Sequence, residues 1–305
     1  MLGVSFSLHR SSELEIDKKK CLRAALQDLG FRRFRLMSYW NIHEAVQSHY
    51  DFHELDWQLD MVAEYGGKVS LCVGKRQPRW PECHIPDWAV ILPDEQWQIH
   101  LLEFIKTVVE RYKNHPALES WQLENEALLK TFGHCVDQNY DPIRLQKEYD
   151  LIKNLDPYHP VIMSLSDSWG FPLKRPKPDI YAQSLYRITS DLDGNYHYSK
   201  RPPAFYKGRA AIISTFKNRP VFIHELQAEP WLNVAIRDCP VDSQLEFMNA
   251  QIIKETIQYA INTDLTPIDL WGLEWWYWLK VKKRRPSVWQ AVKQSLQATN
   301  SLGHP

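Results

Sequence analysis

No run of about 18 apolar residues occurs in the 305-residue chain, which excludes a membrane-spanning helix within it. The N-terminal residues Met1-Leu2-Gly3-Val4-Ser5-Phe6-Ser7 lack a basic segment followed by a long apolar one, so they do not read as a signal peptide. A cytoplasmic location is therefore expected for the chain as it stands, and an extracytoplasmic one only if a leader or anchor precedes Met1. Net charge is missing too: Lys plus Arg and Asp plus Glu are 37 each. With no summed positive field, nucleic acid is not an expected partner. The basic run at 280–285 is local and reads as the solvated start of a last helix. Cysteine is sparse and scattered. Cys21, Cys72, Cys83, Cys135 and Cys239 form no metal-ligand spacing, and an odd, dispersed set predicts a reducing compartment rather than a disulfide framework. No metal or other cofactor is implied. Linkers and low-complexity segments are also absent, the Arg-Pro-Lys-Pro at 175–178 being only a loop, so residues 1–305 are expected to form a single domain.

What is present is an alternation of short apolar runs with helical periods. Strand-like runs fall at 4–7, 31–37, 68–73, 118–124, 161–165, 180–184, 220–224 and 267–271. Helical stretches fall at 13–29, 56–64, 93–112, 142–154, 203–216, 241–262 and 287–297, with a poor helical signal between the fifth and sixth strands. Eight such units in about 300 residues predict a (β/α)₈ TIM barrel. A doubly wound open sheet is the alternative, but the chain has neither Gly-x-Gly-x-x-Gly after its first strand nor a Gly-x-x-x-x-Gly-Lys loop.

In a barrel the C-terminal strand ends converge on one site. Here those ends carry acids and indoles: Asn125-Glu126 after the fourth strand, Glu225 to Trp231 at the seventh, and Trp271-Gly272-Leu273-Glu274-Trp275-Trp276 after the eighth. Such a lining suits a neutral, hydroxyl-rich ring, with carboxylates and amides for hydroxyls and indole faces for stacking. Thirteen tryptophans fit the same idea, although core packing is the expected role of any single Trp. Strand alternation also predicts that Glu124 and Glu126 point to one face, where burial and like charge would raise the pKa of at least one.

Asn125-Glu126 on the fourth strand with Glu225 on the seventh resembles the signature of clan A, the retaining glycoside hydrolases on a (β/α)₈ barrel, which include cellulases, mannanases and β-galactosidases. Tyr50-Asp51-Phe52, Leu55-Asp56, Pro78-Arg79-Trp80-Pro81, the segment 121–126 and the segment 225–231 look like its cellulase-type branch (families 5, 39 and 42). The resemblance implies cleavage of β-linked carbohydrate without a cofactor. Glu126 would be the acid/base, Glu225 the nucleophile, Arg35 and Tyr186 its partners, Asn125 the contact to the 2-hydroxyl, and Trp275 or Trp276 the floor of the cleaved ring. Glu229 and Glu274 are rivals for the nucleophile or for substrate contact, and Trp80 and Trp88 are candidates for outer subsites.

Each residue has a simpler role beside these. Arg35 could neutralise Glu124 as a buried ion pair, Tyr186 could be a core tyrosine, Trp80 and Trp88 could pin a Pro-rich loop, and His84 and His197 are expected to be packing or surface residues. His224 could tune Glu225 or do nothing. Two other functions stay open: a barrel that binds carbohydrate without cleaving it, and a metal-dependent hydrolase or isomerase, which would want clustered His/Asp/Glu ligands that no strand end supplies. The sugar, the linkage and the oligomeric state are not encoded legibly.

Overall fold

A computed structural model describes all residues except 128, 130–132, 134, 136–140, 168–170, 173–174, 191–194 and 303–305. Eight strands form a closed barrel: β1 Leu2–Ser5, β2 Arg33–Met37, β3 Lys68–Val73, β4 Leu118–Leu123, β5 Val161–Leu165, β6 Ile180–Leu185, β7 Val221–Gln227 and β8 Ile268–Trp271. Their order around the ring is β1-β8-β7-β6-β5-β4-β3-β2, so each strand lies beside its neighbour in sequence. The pairings of β1 with β8, β8 with β7, β3 with β4 and β4 with β5 are parallel. Parallel neighbours need long crossovers, which helices supply between all of these strands but β5 and β6 among the described residues. This is the TIM barrel that the alternation predicts; the closed ring rules out the open doubly wound sheet.

The chain divides into two compact units: Met1–Phe34, Gln183–Ile212 and Phe222–Pro305 make one, and Arg35–Ala182 with Ile213–Val221 make the other. In the first, the expected helix at 13–29 is interrupted. Leu8–Glu13 ends, Glu15 takes a left-handed φ of 51°, and Asp17 caps a new helix at Lys18–Ala24 by accepting the Lys20 N–H at 2.9 Å. The stretch 241–262 likewise breaks where Asn249 accepts the Gln251 and Ile252 N–H groups, giving Val241–Phe247 and Ala250–Ile261. Asp28 links the early and late parts of this unit, receiving Lys280, Lys293 and the Trp289 indole at 2.7 Å each. Those lysines hold its carboxyl well below the usual carboxylate range.

In the second unit, Phe104 of the helix Asp94–Tyr112 stacks with Trp40 and with Phe52, which precedes the helix His53–Glu64, at 6.0 and 6.3 Å. Part of the tryptophan excess is therefore core. This unit also contains a disulfide between Cys83 and Cys135, which corrects the expectation of unpaired cysteines. The partners are 52 residues apart, a pairing invisible to local spacing, and the argument for a reducing compartment loses its ground. Among the described residues no helix separates β5 from β6, and none is long and apolar enough to cross a membrane.

Candidate active site

β4 ends at Leu123, and the next three residues leave strand geometry. Glu124 and Glu126 both adopt left-handed backbone, with φ of 47° and 46°. For residues with a Cβ this costs roughly 1–2 kcal/mol each, and surrounding bonds must hold it. They do: the Glu124 N–H donates to the Val73 carbonyl at 2.9 Å, the Asn125 N–H to the Arg76 carbonyl at 2.8 Å, and the Glu126 N–H to Ser164 Oγ at 2.8 Å. Strand alternation therefore does not carry past Leu123.

Glu124 is fully buried and belongs to the scaffold. Arg144 grips it through two nitrogens, at 2.6 and 3.1 Å, and also bonds Glu148. Burial alone would raise the Glu124 carboxyl; the charges of Arg144, Lys75 and Arg76 outweigh it and bring it below its ordinary value. Burial together with the charge of Glu124 pushes Glu148 upward. Gly74 completes the fit, because at its φ of 102° a Cβ would stand 2.6 Å from Glu124 Cγ. Arg35 belongs to the neighbouring amide network. Its Nε donates to Gln122 Oε1 and its Nη2 to Asn125 Oδ1, both at 2.7 Å.

Asn125 is consequently tightly specified. Its carbonyl oxygen accepts from Arg35 and, at 3.2 Å, from Ser164 Oγ, while its amide nitrogen donates to Glu82 Oε2 at 2.8 Å. Glu126, 8% exposed, sits at the surface edge of this network with its backbone tied to Ser164.

On β7, Glu225 is also 8% exposed, and Tyr186 donates its hydroxyl to Glu225 Oε1 at 2.6 Å. The Trp231 ring stands edge-on to Tyr186 at 5.1 Å. β7 continues to Gln227, so Glu225 lies two residues before the strand end rather than on it. His224 points elsewhere: its Nδ1 lies 2.6 Å from Asp269 Oδ2, and Asp269 accepts Arg33 Nε at 2.9 Å.

Several expected contacts move into the scaffold. Residues 273–281 form a helix that sequence periodicity hides, since a helix apolar all round shows no stripe. It buries Trp275 and Trp276 completely and satisfies their indoles with Gln244 Oε1 and the Ala228 carbonyl, both at 2.7 Å. Neither presents a face for a sugar. Glu274 accepts the Ser7 N–H and is 1% exposed, and Glu229 pairs with Arg10 at 3.1 Å, so both rivals of Glu225 have structural duties. Trp88, in the short helix Asp87–Val90, donates to the Glu44 carbonyl at 2.8 Å and stands edge-on to Trp40 at 5.8 Å; Trp80 is 54% exposed. His84 is a packing residue, its ring 4.6 Å from that of Tyr39, and His197 is exposed on the hairpin strand Tyr196–Tyr198.

Sequence reasoning missed Ser164 and Glu82, both bonded to Asn125. Ser164 precedes the last residue of β5, a position that could have drawn notice as a strand end; Glu82 sits in a loop and had no local signal. Trp271 was read within the aromatic end of the eighth strand but not singled out, and it is the last residue of β8, 6% exposed. Among the described residues no three His, Cys, Asp or Glu side chains cluster so as to hold a metal ion.

A family model described as glycosyl hydrolases family 2, TIM barrel domain, matches residues 20–199. Among curated relatives, β-galactosidase BgaB of a Geobacillus species is 28% identical over 106 residues, covering 28% of this chain and 16% of that protein. Mannan endo-1,4-β-mannosidase F of Aspergillus clavatus is 32% identical over 97 residues, 32% of this chain and 17% of that protein. These matches thus span about a sixth of each relative's length. Among solved structures, a GH5_18 protein from Streptomyces cattleya in complex with GlcNAc superposes with a TM-score of 0.69 at 14% identity, over 100% of this chain and 81% of that one. Xylanase 10B from Thermotoga petrophila in complex with xylobiose gives 0.62 at 15% identity, over 98% and 94%.

Proposed function

From the premise that this chain belongs to the glycosyl hydrolases family 2 TIM barrel domain family, we infer that it hydrolyses β-linked glycosides with retention of configuration. Glu225 is the nucleophile and Glu126 the acid/base. The observation that carries the reading is the 2.6 Å hydrogen bond from Tyr186 to Glu225 Oε1, because a donor aimed at one carboxylate oxygen stabilises the anion and orients the other oxygen. Glu126 follows the C-terminal end of β4 and Glu225 lies near that of β7, and barrel enzymes build their active sites at those strand ends.

The reaction then runs in two steps. Glu225 attacks the anomeric carbon while Glu126 gives its proton to the departing glycosidic oxygen; Glu126 next takes a proton from water, which displaces Glu225 from the sugar. Such a pair needs carboxyl groups about 5 to 5.5 Å apart. Asn125 holds the 2-hydroxyl and so fixes the ring at the reacting centre. Arg35 acts through Asn125, whose oxygen it holds. Trp271 takes the stacking role in place of the buried Trp275 and Trp276. The partner is carbohydrate; the curated relatives' names, a β-galactosidase and a mannan-cleaving enzyme, favour β-linked hexose.

An aryl β-glycoside screen followed by Glu126→Ala tests this. The variant should lose roughly 10²- to 10⁴-fold on a substrate with a poor leaving group. Azide should restore turnover and yield the β-glycosyl azide. An α-azide, or no loss on substitution, rejects the assignment; a wild-type chain that binds oligosaccharide but turns over no glycoside identifies a binding barrel, and activity abolished by chelator a metal enzyme.

A further inference from the structure

Besides Glu124, the described residues beside Asn125 include a buried carboxylate that the mechanism above does not use. Glu82 is 4% exposed and left-handed, with φ of 73°. A non-glycine residue is held in that conformation only where its surroundings insist on it. Its N–H donates to the Arg79 carbonyl and its carbonyl accepts the Gln77 N–H, both at 2.8 Å. Gly133 packs so close that a Cβ there would lie 2.8 Å from Glu82 Cβ, and the neighbouring Cys83 is tied to Cys135. All of this fixes a carboxylate whose Oε2 receives Asn125 Nδ2 at 2.8 Å and stands 3.9 Å from Arg76 Nε.

The Asn125 amide has two N–H groups and one oxygen with two lone pairs. Arg35 and Ser164 occupy the oxygen, and Glu82 takes one N–H. Among the described residues the second N–H has no acceptor, so the amide offers a ligand one donor and nothing else.

We propose that Glu82 is a positioning residue that presents the second Asn125 N–H to the C2 hydroxyl of the bound sugar, making the site selective for a C2 substituent that accepts a hydrogen bond. This rests on the glycosidase reading above, in which Asn125 meets that hydroxyl. Without Glu82 the amide nitrogen loses its buried acceptor and turns toward other partners, and the donor no longer faces the sugar.

The test compares an aryl β-glycoside that the wild-type chain turns over with its 2-deoxy counterpart. Glu82→Ala should lower kcat/KM on the hydroxylated substrate by roughly 10- to 100-fold and leave the 2-deoxy substrate within about threefold. Asn125→Ala should give the same pattern, the double variant should be no worse than either, and Glu82→Gln, which keeps an acceptor oxygen, should recover most of the loss. A fall on both substrates together marks a merely structural role and overturns the proposal, as does no fall on either. A wild-type chain inactive on every glycoside refutes the glycosidase reading instead. The crystal structure of Glu82→Ala, or of Glu82→Gln should the alanine variant not fold, decides the positioning claim independently. Alanine must release the Asn125 amide and glutamine must keep it; an alanine variant with Asn125 unmoved, or a glutamine variant with Asn125 displaced, overturns the proposal.

Discussion

Replacing Arg144 by Met removes the cation that grips Glu124 without changing the bulk of the side chain greatly. In the wild type, Arg144 bonds Glu124 through two nitrogens and Glu148 through one of them, and all three side chains are nearly or wholly buried. Taking away one partner of a buried ion pair leaves an uncompensated charge and costs about 3–5 kcal/mol. An unfolding entropy of roughly 2 cal/mol/K per residue over this length converts that loss to a fall in Tm of about 5–8 °C. Activity should fall as well, because Glu124 is the first residue of the left-handed turn that carries Asn125 and Glu126, and a displacement of about 1 Å at reacting groups costs on the order of 100-fold. Differential scanning calorimetry and denaturant titration at neutral pH measure the first effect, and kcat on an aryl glycoside the second. Adding Glu124→Gln to Arg144→Met should return a large part of the stability, since the stranded charge is then gone. If Arg144→Met unfolds within 1 °C of wild type, or if the second substitution deepens the loss, the account of this network is wrong.

Other perturbations follow from the same contacts. Tyr186→Phe removes one charge-assisted hydrogen bond to Glu225 and should lower kcat/KM by roughly 10- to 100-fold with little change in Tm; equal activity would deny Glu225 the nucleophile's role. Glu148 has its pKa raised by burial and by Glu124, so the native state holds its proton more tightly than the unfolded chain. Its contribution to stability is therefore complete below the ordinary Glu value of about 4.5 and is lost as pH rises through about 8, and Glu148→Gln should flatten the fall in Tm across that window. Reducing Cys83–Cys135 removes a 52-residue constraint worth at most roughly 4 kcal/mol in unfolded-chain entropy. Dithiothreitol should lower Tm, and Cys83→Ser should abolish that sensitivity.

The barrel was legible because strands buried on both faces read as short apolar runs and the helices between them as amphipathic periods. Ends were less legible. The helix at 13–29 carries its break at Glu15 to Asp17, where a capping aspartate overrides the apolar stripe, and the helix at 273–281 was hidden because Trp275, Trp276 and Trp278 are buried on all sides. For the proposed site, the sequence places Asn125 and Glu126 after β4 and Glu225 on β7, as the structure has them. The fate of Glu124 could not be read there, since alternation stops where backbone turns left-handed, and its partner Arg144 lies 20 residues on in the helix Pro142–Leu155. Glu82 and the Cys83–Cys135 bond lie in loops, whose contacts are set by tertiary approach rather than by period.

The most direct measurement is intact-protein and peptide mass spectrometry after incubation with an activated 2-deoxy-2-fluoro β-glycoside matched to the preferred sugar. A glycosyl ester should form in a one-to-one ratio and map to Glu225, and Glu225→Gln should take no label. A label on Glu126, Glu229 or Glu274, or none on a chain that turns over the parent glycoside, would contradict the central claim.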